Sequence, residues 1–431
     1  MKTINFCFRV HQRYNLKRYR FFEIGNDHYY YDDYLNQTQT RQFADQVCLE
    51  ANQVLLDMIT NSGGKFRTSF AISGLALEQF EQYAPDVIES FQRLAATGSV
   101  EFLATPYAHS LASLFNRDEF AIQLKKHADK IYELFHRRTT TLANTALIYN
   151  DEIADIASSL GYKNIMIEGA KHVFGWKSPH YVYGTNVNNK IRLFPRDQKL
   201  SDDISYRFSQ WSWNEYPLTA EKFVKWLDDT PQEEQLFNIF MGYEALGMLN
   251  TKQSGIFDFF RALPFYAMER GIGFSTPSMI KLAPVDNLEV VYPMSWADEE
   301  KDITAWCGNE LQNEALVKLY DLSERVNLSS EPMIKSDWMT LQDAAHFFFM
   351  TTKHYSDGTK AAKNIQYDSP YDAFMNYMNV LSDFIERVNA LYPSNIDNEE
   401  LNSLLKTIHN QELEITALRN DLKRRSSRSA K

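Results

Sequence analysis

Residues 141–169, TLANTALIYNDEIADIASSLGYKNIMIEG, constrain the fold most tightly. A short apolar run over 141–148 leads to Asn150 and Asp151, which suit the start of a helix. Ile153, Ile156 and Leu160 follow at helical spacing, Gly161 ends the helix, and NIMI at 164–167 reads as a second strand. Strand, polar turn, helix, strand is the unit from which parallel barrels are built, and its turn faces the mouth where such barrels place their chemistry. A reactive side chain is expected at the end of the first strand. The chain has Ala146 there.

The same alternation extends in both directions. Strands are read at 3–10, 65–73, 98–105, 236–241 and 273–277, and helices at 43–59, 75–95 (interrupted by Pro85), 118–135, 219–227 and 256–270. About seven strands alternating with helices predict an α/β fold, an incomplete TIM-like barrel of (β/α)7 type. The Arg-, Tyr- and Phe-rich stretch 15–33 is expected to be a loop over the barrel mouth, and 170–183 a second, aromatic loop. After Lys281 the rhythm stops, and 309–326, 337–350 and 371–391 read as helices. Residues 399–425 carry Leu401, Leu404, Ile408, Ile415, Leu418 and Leu422 at heptad positions, with Gln411 weakening the seam. The expected division is a barrel over 1–285, a helical region packed on it over 286–392, and a coiled-coil-like helix with a basic tail over 393–431. That last helix could equally lie on its own domain.

Charge and cysteines narrow the partners. A net charge of −11 argues against nucleic acid. Cys7, Cys48 and Cys307 lie far apart, without metal-ligand spacing, and read as buried thiols of a reducing compartment. Arg9 and His11 interrupt the first apolar run, so no signal peptide is read, and no apolar stretch nears the roughly 20 residues that span a bilayer. A cytoplasmic protein without a membrane partner is expected. The aromatic content of 14% suits either a cleft that stacks sugars or a well-filled core.

Several motifs, taken in order, resemble glycoside hydrolase family 57, the α-amylase-like group. They are His11-Gln12, Gly98-Ser99-Val100-Glu101, the 141–169 unit, 240–247, Thr276-Pro277-Ser278, Trp296-Ala297-Asp298 and AWCGNELQ at 305–312. The resemblance implies a seven-stranded barrel, retaining cleavage of α-1,4-glucans, and no required cofactor or metal. It also implies a glutamate nucleophile within Asn-Thr-Glu-Leu-Ile-Tyr-Asn and an aspartate acid within Phe-Met-Asp-Tyr-Glu-Thr-Phe-Gly. Asn144, Thr145, Leu147, Ile148, Tyr149 and Asn150 match the first pattern, and Phe240, Met241, Tyr243, Glu244 and Gly247 the second. The two catalytic positions hold Ala146 and Gly242.

Retention needs one carboxylate to attack the anomeric carbon and another, ~5–5.5 Å away, to protonate the leaving oxygen. A methyl group and a hydrogen can do neither. Glu244 and Glu101 are the candidate substitutes, Glu244 because a continuing strand would turn it to the same face as Gly242. Glu101 is expected either to meet a substrate hydroxyl or to form a structural salt bridge, and Glu152 to favour its helix N-terminus. Sugar contacts are expected from His11, Gln12, Glu101, Tyr107, His109, Lys171, Trp176, Tyr243, Trp296, Asp298 and Trp306, with packing or solvent exposure as the alternative for each. The expected protein binds α-glucan or maltooligosaccharide without hydrolysing it, with a homodimer formed through the last helix. A working amylase or glucanotransferase with relocated carboxylates and an assembly module without sugar are the rivals.

Overall fold

The computed structural model describes residues 1–353 and 366–391, with Thr407, Gln411 and Ile415 beyond them. Those three aside, the heptad stretch 399–425 lies outside the described residues. Seven parallel strands form the centre: β1 (Thr3–Val10), β2 (Thr68–Ile72), β3 (Val100–Phe102), β4 (Thr141–Leu142), β5 (Asn164–Glu168), β6 (Arg192–Arg196) and β7 (Leu236–Gly242). Their order is β3-β2-β1-β7-β6-β5-β4. A single parallel bridge, Ala104 to Leu142, joins the two outer strands. The architecture is therefore an incomplete (β/α)7 barrel followed by a helical C-terminal region.

Side-chain alternation sorts the strands into two layers. On β1, Phe6 and Phe8 pack outward with Ile239 and Met241 of β7 against the helices, while Cys7 and Phe240 point inward. The floor of the interior is polar, with Asn5 donating to Asn238 at 2.8 Å. Arg9 is the top inward residue of β1 and lies in register with Gly242 of β7.

The opening unit folds as its sequence requires. Asn150 caps the helix Asp151–Ser159 by accepting from the Ile153 amide, and Gly161 leaves it with φ +88°. Several expectations change. The strand read at 273–277 shrinks to Gly273–Phe274, which pairs only with the start of β1. The seventh place belongs to β6, RLFPR, whose end arginines and internal Pro195 hide a strand signal. Arg192 is matched to Asn164 at 2.8 Å and Arg196 to Glu168 at 3.2 Å, so both charges are accommodated at the barrel wall. The run 141–148 leaves strand geometry after Leu142, and the 15–33 loop does not cover the mouth. That loop binds the helix Pro370–Leu391 instead, through Tyr19 to Asn376 (2.7 Å), Gly25 to Asp383 (2.7 Å) and Tyr30 to Asp383 (2.5 Å).

Backbone hydrogen bonds also join the segment after the barrel to the barrel itself. Tyr149 and Met294 exchange backbone hydrogen bonds at 3.0 Å. The helix expected at 337–350 breaks into Pro332–Leu341 and Ala344–Phe348, and Asp343 caps the second piece. At that break Asp343 bridges Ser110 of the barrel, and the Ala344 amide donates to the His109 carbonyl at 3.2 Å. Among the described residues no helix is long and apolar enough to cross a membrane.

Candidate functional site

The barrel mouth opens into a cleft of about 700 Å³, walled on one side by strand ends and on the other by the helical region. Arg9, His11, Gln12 and Arg13 line it from the end of β1, Ala146 from the turn after β4, Arg196 from the end of β6, Asp202 from beyond it, and Glu244 from beyond β7. Trp296, Asp298, Lys301, Trp306, Phe348 and Phe349 complete it from the C-terminal side.

At the β7 corner, Gly242 has φ −69° and ψ 141°, extended backbone open to any residue. A Cβ there would lie 2.2 Å from Glu244 Oε1 and 2.5 Å from Oε2. The Glu244 carboxylate thus fills the side-chain space of position 242. It is held there by the Arg9 guanidinium, which donates to Oε1 from the in-register position on β1. Arg9 also lies over the Trp296 ring, 5.1 Å from its centroid, a favourable cation–π position.

The β4 corner is built differently. Ala146 has φ 47° and Leu147 φ 54°, two successive non-glycine residues in left-handed conformation. Each such residue costs roughly 1–2 kcal/mol. The turn is fixed from three sides. Asn144 Nδ2 donates to the Ile148 carbonyl at 2.9 Å, Thr145 Oγ1 to the Ser110 carbonyl at 2.7 Å, and the Trp296 amide to the Ala146 carbonyl at 2.9 Å. Ala146 is 4% exposed, and its methyl group faces the cleft.

Between the corners, His11 Nδ1 lies 2.8 Å from Ser73 Oγ and Nε2 lies 3.1 Å from Asp343 Oδ2. Burial disfavours the Asp343 charge, yet its interaction with His11 holds the carboxyl below the usual carboxylate range. His109 stacks on His11 at 4.3 Å. Burial, followed by the charges of His11 and Arg9, pushes the His109 imidazole well below its ordinary value, which keeps that ring neutral. On the far wall Arg196 is saturated by the Phe240 carbonyl (2.7 Å), Glu168 (3.2 Å) and Asp202 (2.5 Å), and Asp298 pairs with Lys353 at 3.2 Å. Of the lining carboxylates, Glu244, Asp202 and Asp298 are therefore each held by a cation. Among the described residues no group of three or more His, Cys, Asp or Glu is arranged to hold a metal ion.

The structure brings His11, Gln12, His109, Trp296, Asp298 and Trp306 together with Ala146 and Glu244. It places the other candidates elsewhere. Glu101 points into the barrel floor, where Thr141 Oγ1 donates to Oε1 at 2.6 Å and the Ser278 amide to Oε2 at 3.0 Å, so it cannot substitute for a carboxylate at the mouth. Tyr107 is buried against Gly74 with its hydroxyl on Glu78 at 2.6 Å. Tyr243 is 0% exposed, in the helix-facing core, and donates to Asn52 at 2.6 Å. Lys171 and Trp176 stand on the outer surface, Trp176 at 93% exposure, because the chain leaves the barrel after β5 in a short outward helix. Glu152 reaches Arg117 at 3.4 Å on the surface. Arg9, Arg13, Arg196, Tyr206 and Asp343 were not indicated by any motif. Period-two spacing from His11 puts Arg9 and Arg13 on its face, and that spacing was the available signal.

The family model for glycosyl hydrolase family 57 matches residues 5–290. A protein of Methanocaldococcus jannaschii bearing the name "Putative alpha-amylase" is 35% identical over 397 residues, spanning 88% of this chain and 84% of its own. In fold, the chain is similar to a family 57 branching enzyme from Thermococcus kodakaraensis (TM-score 0.65, 12% identity, 95% of this chain and 94% of that one). It is also similar to the α-amylase AmyC from Thermotoga maritima (TM-score 0.59, 13% identity, 95% and 97%). The matched model, the 35% relative and the barrel with its helical region agree, and the chain belongs to glycosyl hydrolase family 57.

Proposed function

We propose that this family 57 chain holds an α-glucan or maltooligosaccharide in its cleft without hydrolysing it. One observation carries the reading: the space above Gly242, where the family resemblance places the acid, is filled by a Glu244 carboxylate clasped by Arg9, while Ala146 stands opposite. Without a nucleophile no glycosyl-enzyme intermediate forms, and a lone carboxylate does not complete either stereochemical route. Binding does not need those groups. The exposed Tyr206 and the partly exposed Trp296 offer ring faces, and Gln12 and Gln198 offer hydrogen bonds, the mixture that suits sugars. A cytoplasmic location and a homodimer through residues 399–425 belong to the same reading, supported by the cysteine usage and heptad pattern alone.

A second reading makes Glu244 a displaced acid, since its carboxylate occupies the position 242 side-chain space. A reducing-sugar assay on maltoheptaose decides between them. The binding reading expects the native chain and Glu244→Gln to be equally silent. Turnover that survives repurification and disappears in Glu244→Gln establishes the second.

A further inference from the structure

The cleft's cations are not evenly matched. Arg9 is committed to Glu244 and Arg196 to Asp202 and Glu168, while Lys353, behind the lining, pairs with both Asp298 and Glu300. Glu299 lies exposed at the rim. Arg13 and Lys301 line the same cleft, and among the described residues neither has a carboxylate within the 4.0 Å of an ion pair. Their surroundings are not watery either. Burial lowers the affinity of both groups for their protons, although Asp343 opposes that at Arg13, and Glu168, Asp202 and Asp298 oppose it at Lys301 from beyond ion-pair distance.

Both are also fixed in place. Arg13 donates from Nε to Asn15 Oδ1 at 3.2 Å and stacks over Phe349 at 4.7 Å, which leaves its two terminal nitrogens as a pair of parallel donors. Asn15 is itself held by Asn36 at 2.9 Å and Gln39 at 3.0 Å. Lys301 adopts φ 57° and anchors Nζ on the Trp296 carbonyl at 2.8 Å, with two donor protons remaining. A planar guanidinium with free parallel N–H groups recognises phosphate bidentately, and a partly buried ammonium adds a point charge.

We infer that the cleft takes an anionic saccharide, an α-glucan or maltooligosaccharide bearing a phosphate monoester, with the phosphate carried by Arg13 or Lys301 and the sugar rings by the aromatic wall. The inference rests on the saccharide-binding reading above and names the charge of the ligand.

The test compares maltose, maltose 1-phosphate, maltose 6′-phosphate and inorganic phosphate by calorimetry on the full chain. At least one sugar phosphate should bind about tenfold or more tightly than maltose. That preference should shrink as salt is raised. It should also fall in Arg13→Gln or in Lys301→Met, each checked for folding by thermal melt, so that one variant remains if the other unfolds. Equal affinity for maltose and both phosphates overturns the inference and leaves the saccharide reading standing. Inorganic phosphate binding as tightly as the sugar phosphates, or no binding by any of the four, overturns both.

Discussion

The two corners of the barrel mouth that the family resemblance marks as catalytic differ in how they lack a carboxylate. At the β4 corner the backbone holds the left-handed turn at Ala146 and Leu147, pinned by Asn144, Thr145 and Trp296, and only a methyl group projects from it. At the β7 corner the backbone of Gly242 is relaxed, and the side-chain space belongs to the Arg9–Glu244 pair. One corner is a strained turn that presents only a methyl group to the cleft. The other has been filled by a different interaction. Strain of this kind persists only where surrounding structure over-determines it, and here the contacts of Asn144, Thr145 and Trp296 do so.

The comparison breaks most visibly if both groups are supplied. Ala146→Glu with Gly242→Asp puts two carboxylates on the cleft walls. The added group at 242 meets only the far end of the Glu244 side chain, which can swing aside. Acid and nucleophile act as a unit, so each single variant should remain silent and the double variant alone should release reducing ends from maltoheptaose, well below a native amylase. Double-variant protein that is folded and glucan-binding but silent would show that the β4 frame has drifted as well.

A smaller effect isolates the β7 pair. Arg9 and Glu244 side chains are 24% and 29% exposed, so Arg9→Met should cost about 1–3 kcal/mol by urea unfolding as the carboxylate loses its donor. Glu244→Gln should cost less in the Arg9→Met background than alone, because the two share one interaction. Additive costs would mean that the pair is not coupled.

The β7 side also answers to pH. His180 sits between Asp197 and Glu234, both at 2.6 Å, and ties the end of β6 to the start of β7. Burial opposes its charge, but the two carboxylates raise its imidazole above the ordinary value. The folded value therefore exceeds the unfolded one, so the clamp contributes fully below about pH 6.5 and is lost as pH rises through the folded value. Thermal melts should fall across that window, and His180→Gln should flatten the fall.

The smallest pair of changes has opposite signs. Ala146→Gly relieves left-handed strain at the expense of a more flexible unfolded chain and should stabilise by about 0.5 kcal/mol. Gly242→Ala meets no backbone penalty but pushes Glu244 off Arg9, and should destabilise by about 1 kcal/mol. Equal signs would remove the distinction between the corners.

The legible parts of the sequence were those in which local pattern and global fold agree. The 141–169 unit carried an apolar run, an Asn cap and a closing glycine, and the structure uses each of them except the last residues of the first strand. β6 was hidden because Arg192, Pro195 and Arg196 contradict a strand locally, and partners distant in sequence make them acceptable. Asp343 was hidden inside what reads as one continuous helix, since only the tertiary contact with Ser110 shows where it breaks. Arg9 was noticed only as an interruption of an apolar run. Its meaning depends on register with Gly242 and on Glu244 across the mouth, and neither is a property of its neighbours in the chain.

The most direct test of the binding reading is a crystal structure of the native chain after prolonged exposure to maltoheptaose. The account predicts an uncleaved oligosaccharide along the cleft, with rings against the Trp296 side and the Arg9–Glu244 pair still closed over Gly242. Shortened products in the cleft, or a sugar oxygen within hydrogen-bonding reach of a Glu244 released from Arg9, would contradict it.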